Sequence, residues 1–106
     1  MPRVIDSPVK QFPGQVELPD AVTFPQYIAY QDALTAAREE NGARQNFALL
    51  PGLLACVLAW RLENVPEHPT VETFPASPPV AVSRLLAWII AELSKMIHAA
   101  DDSPNG

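Results

Sequence analysis

Residues 45–63, QNFALLPGLLACVLAWRLE, decide how this chain is read. Phe47, Leu50, Leu54, Leu58 and Leu62 recur at three- and four-residue steps, the spacing that brings side chains onto one face of an α-helix. Leu53, Val57 and Trp60 widen that face. A helix apolar on most of its sides belongs at the centre of a domain. Pro51 interrupts the pattern. Proline costs about 3 kcal/mol inside a helix and is tolerated in the first turn, so a helix is expected over 45–63, broken or kinked near 51. The apolar run 47–60 has 14 residues and contains Pro51-Gly52. A bilayer span needs about 20, so the run reads as a buried core helix.

Proline organises the chain on either side of this segment. There are 12 prolines in 106 residues, roughly double the usual share of about 5%. They stand at 2, 8, 13, 19 and 25, at 51, at 66, 69, 75, 78 and 79, and at 104, leaving 26–50 and 80–103 free of them. Those gaps are where helices can run. In the first, Thr23 is placed as an N-cap with Pro25 in the first turn and Gln26 completing a capping box, and Asn41-Gly42 supplies a stop. The predicted helix is 24–41, with Tyr27, Tyr30 or Gln31, Leu34 and Ala37 on its apolar stripe. In the second, Ser77 is placed as N-cap with Pro78 and Pro79 in the first turn. Val82, Leu85 or Leu86, Ile89, Leu93, Met96 and Ile97 carry a helix over 78–98, and Glu92 can pair with Lys95 across one turn.

Residues 1–22 read as an extended N-terminal arm. Phe12-Pro13-Gly14 is a turn signal, and the alternation of Gln15-Val16-Glu17-Leu18 suits a short strand or a coil that packs its apolar side chains. Residues 64–77 read as a stiff Pro-rich connector, and 99–106 as an acidic tail. The expected fold is mainly α: a small bundle of three to four helices in one domain, 23–98, with the arm and the connector around it. The tripeptide Thr-Phe-Pro occurs at 23–25 and again at 73–75. In a Pro-rich chain, coincidence is the simpler reading than a duplicated unit.

Composition narrows function by exclusion. Seven Lys and Arg oppose 12 Asp and Glu, a net charge of −5. The clustered cations that nucleic-acid binding draws on are missing from the sequence. The single cysteine, Cys56, cannot form an internal disulfide, and the N-terminus has no apolar stretch of a secretory signal. The expected setting is the cytoplasm, away from membranes. His68 and His98 stand thirty residues apart with no ligand grouping around them, so neither a metal nor another cofactor is expected. Cys56 lies among apolar neighbours, the reverse of what a reactive thiol needs. Glu67-His68 falls in the connector and Glu39-Glu40 on a solvent face, and glycines 14, 42, 52 and 106 stand alone, without a phosphate loop. The chain reads as no enzyme. Its large apolar residues are more informative. Tyr and Trp are enriched at the energetic centres of interfaces, and Tyr27, Tyr30, Trp60 and Trp88, with Ile89 and Leu93, are the candidate partner-binding surface. The alternative is that the arm and connector cover them.

The strings VKQFPGQVELPDAVTFPQ (9–26) and ETFPASPPVAVSRLLAWIIAEL (72–93) resemble the small proteins of tailed phages and prophages, and in particular tail assembly chaperones. The resemblance implies a small, acidic, largely helical protein of the host cytoplasm. Such a protein needs no cofactor. It binds the tape measure protein, or another tail protein, and keeps it soluble while the tail tube assembles. A homo-oligomer is compatible with it. The alternatives are a structural neck, head–tail or tail component of the virion, and a small cytoplasmic protein–protein adaptor.

Overall fold

The computed structural model describes residues 3–101. Along them run β1 (Arg3–Asp6), β2 (Gly14–Leu18), α1 (Phe24–Arg38), α2 (Ala43–Ala48), α3 (Leu50–Cys56), β3 (Ala59–Leu62) and α4 (Pro79–Asp101). The expected mainly-α bundle is corrected here. The three strands form one antiparallel sheet in the order β1-β2-β3, and the fold is a mixture of helices and sheet.

The sheet grows out of local alternation. In β2, Val16 and Leu18 are buried while Gln15 is exposed, and in β3, Trp60 and Leu62 are buried while Arg61 is exposed. Val16 sits between Ile5 and Trp60 across the two ladders, so the inner face of the sheet is apolar apart from Arg3, the cross-strand partner of Leu18 at its edge. The other face is mostly polar, with Val4 exposed on it. Arg61 ion-pairs with Glu17 at 3.0 Å, and Gln15 Nε2 donates to Asp6 Oδ1 at 2.9 Å. Between β1 and β2 the chain tucks in Val9 and Phe12, both buried. Gly14 has φ +128°, and a Cβ there would run into the Arg61 carbonyl oxygen. Glycine thus lets β3 lie against the start of β2.

The predicted helix over 45–63 is the main correction inside the chain. It divides at Leu49, which closes α2 and opens α3, and Pro51 occupies the first turn of α3. The helix then ends at Cys56. Val57 is extended, with φ −74° and ψ 125°. Leu58 and Leu62 share the four-residue spacing of the segment, yet Leu62 belongs with Trp60 to a strand and Leu58 is half exposed. Period two and period four coincide over so few residues, and the unpaired edge of β2 settles which is used.

Helix α1 starts as the capping signals require. The Gln26 amide donates to Thr23 Oγ1 at 3.2 Å and the Thr23 amide donates to Gln26 Oε1 at 2.8 Å. It ends at Arg38, three residues before the predicted end at 41. The start of α4 is also shifted. The Pro78 carbonyl, not Ser77, takes the first helical hydrogen bond, from the Val82 amide at 3.0 Å. The helix continues to Asp101, so 99–101, expected in the tail, are helical. The rest of the expected tail, 102–106, lies outside the described residues.

A single apolar cluster joins the inner sheet face to the helices. Leu50, Leu53 and Cys56 of α3 and Leu85, Leu86, Ile89 and Leu93 of α4 are essentially fully buried within it. Polar pins fix the helices to one another. Tyr30 Oη and Ser94 Oγ lie 2.9 Å apart between α1 and α4, and Asn46 Nδ2 donates to Ser83 Oγ at 2.6 Å between α2 and α4. Arg3 of β1 reaches Glu92 at 3.9 Å, and Lys95 pairs with the same carboxylate at 3.5 Å.

Helices α1 and α3 approach most closely at Gly52. A Cβ on that residue would stand 2.8 Å from Ala33 Cβ and 3.1 Å from the Ala29 carbonyl oxygen. Neither neighbour is a flexible side-chain end, so the helices would have to separate. Gly52→Val is expected to lower unfolding stability by about 1–3 kcal/mol through overpacking. Urea denaturation followed by circular dichroism measures this, and an unchanged midpoint would show that the α1–α3 contact is not close-packed.

Candidate functional site

The six residues expected to form a partner surface are mostly core. Tyr30 is 2% exposed, Trp60 6%, and Ile89 and Leu93 0%. Trp60 projects from β3, not from a helix, and meets Phe74 edge-on with ring centroids 5.4 Å apart. Tyr30 is held by Ser94 and stacks on Tyr27 at 6.4 Å. Only Tyr27 and Trp88 remain half-buried. A groove between the second and third predicted helices is therefore absent among the described residues. The sheet and the connector cover that face, with Phe74 and Val65 both in the core.

Exposed apolar surface lies elsewhere. The large side chains that remain in water are Val4, Phe24, Ile28, Phe47, Leu58, Val71 and Val80. They fall into three places. Val4 and Leu58 lie on either side of Glu17 in the sheet: Val4 is its cross-strand partner, and the Leu58 amide donates to its carbonyl. Phe47, Val71 and Val80 gather where α2, the connector and the start of α4 meet. Phe24 and Ile28 stand one turn apart on α1, at the opposite end of the molecule from the start of α4.

Phe24 of the third group borders an apolar hollow. About 500 Å³ in volume, it lies between the entry to α1 and the last turns of α4 and is lined by Val22, Phe24, Tyr27, Met96 and Ile97, with Asp20 at its margin. Phe24 is 74% exposed, the highest value among the large apolar residues. Its position follows from the sequence. α1 turns Tyr30, Ala33 and Ala37 toward the core, because alanine permits the close approach to Gly52. That choice of face rotates Phe24 and Ile28 outward. The signal was present in the alanines at 29, 33 and 37, a small-residue stripe that competes with the Tyr27–Leu34 stripe for the core.

The two Thr-Phe-Pro copies meet opposite fates. Thr23 caps a helix and leaves Phe24 in water. Thr73 closes a turn with Thr70, whose hydroxyl accepts from the Thr73 amide at 3.2 Å, and Phe74 is buried. They are not equivalent positions of a repeated unit.

Chemically active groups do not converge. No group of three His, Cys, Asp or Glu that could hold a metal occurs among the described residues. His68 lies exposed in the connector, and His98 is in the last turn of α4. Nor is any helix among the described residues long and apolar enough to cross a membrane. Cys56 is fully buried, its Sγ 3.6 Å from the Gln26 carbonyl oxygen, and burial pushes its thiol up from 9.0 to about 11. Compared with protein-family models, curated proteins and solved structures, the chain matches none.

Because only the thiolate is nucleophilic, Cys56 is expected to resist iodoacetamide at neutral pH in the folded protein and to label fully in urea. Native labelling as fast as in urea would contradict its burial. Burial also couples the thiol to stability. The folded-state value lies above the unfolded one, so the contribution is fully present below pH 9.0 and lost as pH rises through about 11. Urea midpoints should therefore fall across that alkaline range, and a Cys56→Ala variant should remove this part of the slope.

Proposed function

We propose that this protein is a tail assembly chaperone that acts by binding, without catalysis, and that the Phe24 hollow is where it holds an amphipathic helix of the tape measure protein. The observation that carries the reading is Phe24 itself: a large aromatic side chain three-quarters exposed on the rim of an apolar hollow. Helix-in-groove recognition uses apolar anchors at i, i+3 and i+4. Phe24 and Tyr27 supply the i, i+3 pair from this side, with Met96 and Ile97 opposite, and exposed Ile28 continues the i+4 spacing on α1 just outside the hollow. The resemblance of 9–26 and 72–93 to tail assembly chaperones supplies the partner, and both strings contribute to the architecture around the hollow: 9–26 forms its wall through Val22 and Phe24, and 72–93 begins the helix that ends there. An acidic net charge of −5 suits a protein that must keep an apolar client in solution.

The reading is tested by co-expressing the full chain with the tape measure protein. Phe24→Asp and Ile28→Asp should each leave the urea midpoint unchanged, since surface substitutions cost within about 0.5 kcal/mol. Both should shift the client to the insoluble fraction, as loss of an anchor worth about 2 kcal/mol or more would do. Wild-type levels of soluble client in both variants would sink the proposal.

A further inference from the structure

A second apolar surface lies at the other end of α4. Phe47 on α2, Val71 in the connector and Val80 in the first turn of α4 are all exposed. They border two adjoining hollows of about 300 Å³ each, which share Ala43, Pro79 and Ser83 as a common wall. α2 has no buried residue of its own. It is pinned from one side by the Asn46–Ser83 hydrogen bond and holds Phe47 up at the edge of this channel. The channel is also bipolar. Glu72 lines only the first hollow and Arg84 only the second, and no ion pair among the described residues engages either.

We propose that this channel is a two-fold interface between two copies of the chain. A two-fold contact sets one patch against itself, so the patch must be self-complementary. Here the centre is apolar, and the charges at its two ends are opposite. Rotation about an axis near the shared wall brings Glu72 against Arg84 of the partner subunit and Arg84 against Glu72 of the partner subunit, while Phe47, Val71 and Val80 lose their contact with water. Charge complementarity selects this occupant. A uniformly acidic or basic segment would face repulsion at one end of the channel, whereas a second copy reverses both ends at once. The inference stands apart from the client-binding reading, because the Phe24 hollow remains open in the dimer.

Sedimentation equilibrium on the full chain tests the interface. The wild type should run as a dimer of the 11.6 kDa chain and dissociate on dilution, with weaker association at high salt. Glu72→Arg and Arg84→Glu should each weaken dimerisation by roughly tenfold, since each reversal makes two attractive pairs repulsive. The double variant should dimerise like the wild type. An equimolar mixture of the two single variants should also recover the dimer, because each chain then meets its opposite at both ends. Phe47→Asp should give monomer, and Phe24→Asp should leave the dimer intact. A wild type that stays monomeric at high concentration, single reversals without effect, or failure of both the double variant and the mixture to recover would overturn the proposal.

Discussion

The backbone of β2 needs hydrogen-bond partners on both edges, and most of the architecture follows from meeting that need. Val16 and Leu18 are fully buried, so this strand runs against the apolar core, and buried peptide groups left unpaired are costly. β1 satisfies one edge through the hairpin that tucks in Val9 and Phe12. The other edge requires a strand from elsewhere, and the chain supplies it by leaving the helical conformation at Val57. With β3 in place, Trp60 and Leu62 point inward onto the same face as Val16 and Ile5. α4 can then lay Leu85, Leu86, Ile89 and Leu93 into one continuous cluster with them. A helix continued to residue 63 would have put Trp60 and Leu62 on different sides of the rod and left β2 half-paired.

Elements governed by local chemistry were legible in the sequence. The Thr23–Gln26 capping box, the entry of prolines into first turns, and the long apolar periodicity of 80–97 depend on residues within one or two turns of each other. The elements that differ from expectation depend on pairing between distant residues. β3 answers to β2, more than forty residues away, and the four-residue spacing up to Leu62 fits one turn of helix as well as a short strand. The alternation Trp60-Arg61-Leu62 was the available hint, and Arg61 in the middle of an apolar helix would have been the anomaly that exposed it. Its cross-sheet ion pair with Glu17 explains why a charge stands there.

The candidate surface was illegible for a related reason. Tyr and Trp are large and carry a polar tip, which suits them to interfaces, but a small domain also places such residues in its core. Tyr30 finds Ser94 for its hydroxyl and Trp60 finds Phe74 for its ring. Once those two are committed, the residues left in water are the ones whose helical face was outcompeted. On α1 the alanine face wins because Gly52 allows the closest approach there, and Phe24 and Ile28 are displaced outward. Exposure of Phe24 is thus a consequence of tight α1–α3 packing, which ties the binding reading to the fold.

The two exposed apolar surfaces are held apart by α4. Val80 and Met96 are sixteen residues apart on one continuous helix, roughly 24 Å at 1.5 Å per residue. Contact at the α2 end therefore leaves the α1 end unobstructed. A dimer joined through the channel would carry two Phe24 hollows on one particle. For a long helical client with several apolar stripes, the second hollow would act at the high effective concentration set by the first, which raises overall affinity without any new contact. A surface that is weak for one short helix could then be adequate for a long one. A short helix and a full-length client would differ in affinity by far more than their contacts with a single hollow could account for, and that difference would vanish in a monomeric variant.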